Sequence, residues 1–362
     1  MDSVTQIALG AAVGVAVMGR RTAVWKSALW GAVAGTLPDL DAFIDHGDAI
    51  LNMTRHRAES HALFYLTLAA PALAWLVSRL HGEPGLFRRW WLALWLVLIT
   101  HPLLDTMTVY GTQLLQPFSS HPFGVGSVFI IDPLYTLPLV VGVVAALWRA
   151  AGKGLRWNVA GLALSTLYLG WSVLAQQHVE RLAQASLAAS GIQAQGLLVT
   201  PAPFNTVLWR LVAVTPTHYH EAYRSLLDGN APITWRKHVR GDELIATHAS
   251  NPHVERVARF SHGFFSLHDQ GGRLAVTDLR MGQEPYYTFR FDVGPLPATT
   301  PVRQISLPGN EQAKSVLLRQ RPDLAGALPW LWSRLLGRHD DPLPVQRQET
   351  VGAASLTPRL LP

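Results

Sequence analysis

The chain has 362 residues, 49% of them hydrophobic, with 13 tryptophans, a formal charge of +6 and no cysteine. The missing cysteine excludes a disulfide framework and a thiolate metal site, so any metal must sit on His, Asp or Glu. Lysines and arginines are not massed in one stripe, so no nucleic-acid partner is expected and the surplus charge points to anionic surfaces instead.

The apolar load is uneven: residues 1–176 hold long apolar runs, while residues 177–362 carry nine of the fifteen histidines. Runs at 4–18, 24–40, 62–78, 90–108, 128–148 and 157–175 each approach the roughly 20 residues that a bilayer core requires. They predict an all-α polytopic membrane domain of about five to six spans, the first of them short. The turns between them alternate in charge. Arg20, Arg21 and Lys26, then Arg79, Arg88 and Arg89, then Arg149, Lys153 and Arg156 fill the odd turns, whereas the even turns hold only Arg55 and Arg57. This asymmetry places the odd turns in the cytoplasm and the second half in the periplasm of a bacterial inner membrane. A soluble bundle of buried helices is the competing reading, and the charge alternation counts against it.

From about residue 196 the texture changes to β-branched and aromatic alternation, as in "TVLWRLVAV", "RLAVTDLRMG" and "YYTFRFDVG". A smaller soluble α+β or mostly β domain is expected over 177–294, followed by a Pro-rich linker and charged tail over 295–362. Within the tail, "LPWLWSRLLGR" fits either a membrane surface or a short packed helix.

Polar clusters interrupt the apolar half: "PDLD", "RHRAESH", "THPLLDT" and "IIDP". On the predicted topology all of them fall on one side of the membrane, where an unpaired carboxylate or imidazole is unfavourable unless it serves a site. His101 and Asp105, four residues apart, share one helical face, and Pro102 should kink the helix beside them. His56 and His61 are five apart, about 140° around a helix, so His56 should precede the helix that His61 opens. Asp39, Asp41, His56, His61, His101 and Asp105 are therefore candidate ligands for a divalent cation, zinc first, with manganese or magnesium as alternatives. Six candidates suit one ion with supporting partners or two ions. Thr108 and Asp132 are expected to support the ligands by hydrogen bonds. Glu59 is the candidate proton acceptor, and Arg55 and Arg57 the candidate holders of an anionic substrate group. No zincin, nucleophile-elbow, P-loop or dinucleotide motif is present.

The stretches "MDSVTQIALGAAVG", "GTLPDLD", "HRAESH", "HPLLDTMTVYGTQLLQPFS" and "IIDPLYTLPL" resemble the YdjM/YbcI-type, LexA-regulated family of membrane-bound metal-dependent hydrolases. "PFNTVLWRLVAV", "FSHGFFSL" and "DLRMG" extend the resemblance into the second half. It implies a helical membrane domain with a metal centre, its ligands falling on the same residues, Asp39, Asp41, His56, His61, His101 and Asp105. Where the family usually reads HRG followed by T or S, H and S, this chain has Ala58 for the glycine and Ala62 for the last serine. Neither change removes a ligand.

The functional expectation is hydrolysis of an ester or phosphoester, in a lipid or lipid-like substrate drawn from the bilayer, by a metal-activated water. The uncharged stretch "VYGTQLLQPFSSHPFGVGS" would line the entrance. A non-enzymatic metal-binding or ion-translocating membrane protein, or a scaffold whose periplasmic domain binds a partner, stays open beside it.

Overall fold

The computed structural model describes residues 1–148, 153–296, 314–318 and 324–338. Its first half is helical: α1 (Ser3–Met18), α2 (Val24–Thr36), α3 (Ala49–Arg55), α4 (Leu63–Leu80), α5 (Phe87–Asp105), α6 (Pro133–Trp148) and α7 (Lys153–Ala189). Two short 3-10 turns, Pro38–Phe43 and Glu59–His61, carry the polar clusters. Pro38 helps end α2 because it has no backbone N–H to donate into the helix ladder, and the chain continues from a still-helical Leu37 into the tighter turn.

The expected polytopic domain of five to six spans is not what the chain builds. Among the described residues, only α4 (18 residues) and α7 (37 residues) are long and apolar enough to cross a bilayer by length and composition. Helices α1 and α6 have 16 residues each and α2 has 13, which at 1.5 Å per residue gives about 20–24 Å against a core of about 30 Å. Helix α5 is long enough, but Arg88, Arg89 and Asp105 interrupt its apolar character. The apolar runs overstate the helices they contain: the 24–40 run breaks at the Pro38 turn, and the 128–148 run becomes helical only at Pro133.

The short helices pack one face each against their neighbours, while Trp25 and Leu29 of α2 and Leu134, Leu137 and Val141 of α6 stay exposed. Ala12, Met18, Ala34, Ala70, Val77, Trp90 and Leu94 belong to one core shared by α1, α2, α4 and α5. Helices α1 and α2 touch backbone to backbone. A Cβ added to Gly10 would stand 2.2 Å from the Gly31 carbonyl oxygen, and one on Gly35 would stand 2.7 Å from the Gln6 carbonyl oxygen. Small residues at such crossings allow the approach, which also sets the Gly35 carbonyl where α5 can reach it.

Helix α7 is continuous through residue 176, the expected domain boundary, and its far end leaves the helical half to become the support of the first sheet. There Ala175, Val179 and Ala183 pack on Val199, Trp209 and Leu211. That sheet is an antiparallel meander of β1 (Gly196–Pro201), β2 (Leu208–Val214), β3 (His218–Ser225) and β4 (Arg236–Val239). After α8 (Asp242–His248) and α9 (Pro252–Phe260) come β5 (Phe265–Asp269), β6 (Arg273–Asp278), the small pair β7 (Gly282–Gln283) and β8 (Tyr286–Tyr287), then β9 (Arg290–Pro295) and β10 (Val316–Leu317). The second sheet runs in the order β10-β9-β6-β5.

Much of the 295–362 linker and tail lies outside the described residues. Its aromatic piece forms α10 (Leu324–Leu335), held to the sheet domain by Arg334, which donates to both carboxylate oxygens of Asp228 at 2.6 Å. The sheet domain also docks back onto the helical half. Ile50, Met53 and Tyr110 share a core with Val254, Val257 and Phe260, and Arg280, paired with Asp278 at 2.7 Å, donates to the Val109 carbonyl.

If the glycine contact sets the geometry of this half, Gly31→Val should cost about 1–3 kcal/mol through overpacking. A lowered thermal midpoint of the detergent-solubilised protein is the expected result, and an unchanged midpoint would contradict the close approach.

Candidate metal centre

Four side chains from three places in the chain converge at one end of the helical half. Asp39 comes from the Pro38–Phe43 turn, His61 from the Glu59–His61 turn, and His101 and Asp105 from the last turns of α5. His61 Nε2 lies 3.2 Å from His101 Nε2, 3.3 Å from Asp39 Oδ1 and 3.3 Å from Asp105 Oδ2. His101 Nε2 lies 3.5 Å from each of the same two oxygens. All four atoms fall within 4.8 Å of one another. Donors arranged tetrahedrally about 2.0–2.1 Å from a zinc ion would stand about 3.3–3.4 Å apart, so the spacing fits such an ion.

Hydrogen bonding on the far side of each ring strengthens that fit. His101 Nδ1 is 2.7 Å from the Gly35 carbonyl oxygen, which can only accept, so the neutral ring presents a bare Nε2 lone pair to the cluster. Ser60 Oγ donates to Asp41 Oδ2 at 2.5 Å and accepts from His61 Nδ1 at 2.8 Å, which leaves His61 Nε2 bare as well. Two lone pairs and two carboxylate oxygens thus face each other, and buried Asp105 Oδ2 has His61 Nε2 and Arg57 Nε each at 3.3 Å. Such a group of acceptors requires a cation or a proton. Without a metal, a proton does this work. Burial opposes charge on His61, but hydrogen bonds to Asp105, Asp39 and Asp41 outweigh it and raise its pKa to about 9. Burial likewise works against the charge of Asp39, and the hydrogen bonds to His101 and His61 overcome it, lowering its pKa. A metal ion entering the cluster would displace the proton.

The other two candidate ligands stand behind the quartet. Asp41 accepts from Ser60, from the Arg57 backbone N–H at 3.0 Å, and pairs with His56 Nδ1 at 2.8 Å. His56 is thereby spent on Asp41 and packs edge-on to Tyr110. The carboxylate–serine–histidine chain from Asp41 fixes the tautomer and direction of His61, the usual task of groups behind a metal-binding histidine.

Arg57 is 2% exposed, so its guanidinium is turned inward. Its Nε lies 3.3 Å from Asp105 Oδ2, Nη1 donates to Thr108 Oγ1 at 3.2 Å, and the guanidinium carbon sits 4.9 Å from the Tyr110 ring centroid. Its backbone takes φ 64°, left-handed and unusual for a side chain of this size. Residues held so cluster at functional sites. Arg55 and Glu59 are exposed and line a neighbouring cleft rather than the quartet. Thr108 donates to the Asp105 backbone carbonyl at 2.7 Å and so links Arg57 to the α5 terminus. Asp132 is not at the centre; it caps the start of α6 through the Leu134 N–H and accepts from Tyr168 at 2.8 Å.

Residues 1–179 match the family described as YdjM inner membrane protein. The first half of the chain belongs to that family. A curated relative, "Uncharacterized protein YfhP" of Bacillus subtilis (strain 168), is 23% identical over 235 residues, covering 62% of this chain and 68% of the relative. No solved structure matches the chain.

Sequence reasoning passed over three contributors within the YdjM half. Ser60 is the relay between Asp41 and His61. Gln6, 1% exposed, donates from Nε2 to Asp105 Oδ1 at 3.1 Å and to the His101 carbonyl at 3.3 Å, while its Oε1 has no hydrogen-bond partner. The Met1 amine also donates to Asp105 Oδ1. A glutamine within the apolar run of α1 was the available signal for the second of these.

This arrangement separates variants that look alike in sequence. His101→Ala should abolish stoichiometric metal binding, Asp41→Asn should weaken it about 10- to 100-fold, and His56→Ala should leave the stoichiometry intact. Metal analysis of the purified proteins reads all three, and a His101→Ala protein that keeps its metal would rule out the quartet.

Proposed function

We propose that the protein is a membrane-bound metal-dependent hydrolase that cleaves an ester or phosphoester bond, with a lipid-like molecule as substrate. The observation that carries this reading is the quartet of acceptors, its two imidazole nitrogens 3.2–3.5 Å from each other and from both carboxylate oxygens, around a point that demands a cation. Asp39, His61, His101 and Asp105 would hold one zinc ion, with manganese or magnesium as alternatives; among the described residues theirs is the one set of ligand atoms gathered closely enough for this. When bound, the ion supplies Lewis acidity toward a water and an ester oxygen.

The remaining roles belong to the chain itself. Asp41, through Ser60, keeps the His61 proton on Nδ1. Arg57 holds Asp105 ionised from the protein side. Asp39, whose side chain is 23% exposed while the other three are 0–1% exposed, is the member through which the site opens and the one that yields its position to substrate. Glu59, exposed on the adjoining cleft, would accept at its carboxylate oxygen a proton released by the attacking water and relayed through solvent, and Arg55 attracts an anionic substrate group.

Four protein donors would fill a tetrahedral shell, as in structural sites. That count favours a second reading, a non-catalytic metal-binding membrane protein. Zinc-loaded protein assayed on nitrophenyl esters, nitrophenyl phosphates and short-chain phospholipids distinguishes the two. Turnover that vanishes in His101→Ala and in Asp39→Ala is the expected outcome; full zinc occupancy without turnover on any of them would favour the second reading.

The ends of the two candidate spans support one orientation. Arg79, Arg88 and Arg89 flank the end of α4, and Lys153 and Arg156 the start of α7, so both basic ends lie opposite the quartet. The positive-inside preference then supports a cytoplasmic position for those ends and a periplasmic sheet domain. Because the chain has no cysteine, Ser190→Cys provides a single label site just beyond α7. A membrane-impermeant maleimide should label it in intact spheroplasts; labelling only after lysis would reverse the orientation.

A further inference from the structure

A cleft of about 450 Å³ opens between the helical half and α9, with Arg55 and Glu59 on one wall and Glu255, Arg256 and Arg259 on the other. Its volume is that of a small-molecule site, and none of the quartet lines it. Gln113 and Gln116 lie between the walls and bond to each other: Gln113 donates to the Thr54 carbonyl and accepts from Gln116. The arginines supply the positive charge of the cleft. Glu255 is taken by Arg259, 2.5 Å away on the same face of α9. Among the described residues Arg55 and Arg256 form no ion pair, and with Glu59 on the same cleft they leave a surplus of one positive charge that matches the single negative charge of a phosphodiester. Planar guanidiniums bind phosphate oxygens in pairs of hydrogen bonds.

Position narrows the ligand further. Glu59 opens the turn that ends at His61, and α4, long and apolar enough to cross a bilayer, starts at Leu63. Phe64 and Phe118, with ring centroids 5.5 Å apart, are exposed at that same end. An arginine-lined cleft beside exposed aromatic rings at the mouth of a membrane helix suits a molecule with a charged head and an apolar tail.

We propose that this cleft binds the phosphodiester group of an amphipathic ligand, gripped by Arg55 from the helical half and Arg256 from the sheet domain. The proposal rests on the hydrolase reading only in treating that ligand as substrate; binding requires no turnover. It gives the sheet domain half of the recognition site.

Calorimetric titration of the full-length protein in detergent tests it, with glycerophosphoglycerol as the soluble probe and phosphatidylglycerol in mixed micelles as the lipid probe. Saturable binding is expected, weakened roughly ten- to a hundredfold by Arg55→Ala or Arg256→Ala, the scale of a lost hydrogen-bonded charge. Zinc stoichiometry and thermal midpoint should stay unchanged in both variants. Tighter binding of the lipid probe assigns the ligand to the membrane, and equal binding assigns it to the head group alone; both support the cleft. Absence of saturable binding to either probe, or wild-type affinity in Arg256→Glu, overturns it. Intact binding in a protein with no hydrolytic activity would reject the hydrolase reading and leave the cleft standing.

Discussion

Two imidazole nitrogens and two carboxylate oxygens, each directed at the other three from 3.2–3.5 Å where distances between rings and acids are concerned, form a cluster that repels itself unless something positive sits within it. The surroundings are arranged to meet that demand. Arg57 and a divalent cation would together balance the carboxylates of Asp39, Asp41 and Asp105, and burial lowers the pKa of the nearby Met1 amine. Buried charge is tolerated only when it is balanced and hydrogen-bonded. The left-handed backbone of Arg57 is understandable on these terms, since the same residue must give its N–H to Asp41 and its guanidinium to the Asp105 side.

The fold serves the cluster through two close approaches. Glycines let α1 and α2 meet at backbone distance, which brings the Gly35 carbonyl onto His101 and the Gln6 amide onto Asp105. Helix α7 then runs out of the helical half as one rod of about 55 Å, and the sheet domain built on its far end folds back to seat Arg280 on Val109. That contact lies four residues past Asp105, so the loop that follows the metal-site helix is clamped between both halves. The cleft between Arg55 and Arg256 is the gap left along the same seam.

The chemistry of the quartet was more legible in the sequence than its partition. His101 and Asp105 share a face because they are four apart on a helix, and both do reach the cluster. The five-residue gap in "HRAESH" correctly set His56 ahead of α4, but His61 also precedes that helix, in the turn before Leu63. Asp39 and Asp41 looked equivalent because "PDLD" reads as a pair of acids. In a 3-10 turn, at about 120° per residue, positions two apart point in different directions, so one acid meets the cluster while the other meets Ser60 and His56. The number of spans was not legible for a different reason. An apolar run does not state how much of it is helix or whether it faces lipid or a neighbouring helix, and here the runs break at Pro38 and Pro133 while the glycine contacts and the shared core absorb most of α1.

X-ray absorption at the zinc edge of the metal-loaded, purified protein tests the quartet most directly. Two imidazole nitrogens and carboxylate oxygens at about 2.0–2.1 Å, without sulfur and with near-tetrahedral geometry, is the predicted shell. A six-coordinate all-oxygen shell, or zinc bound by a single imidazole, would contradict it.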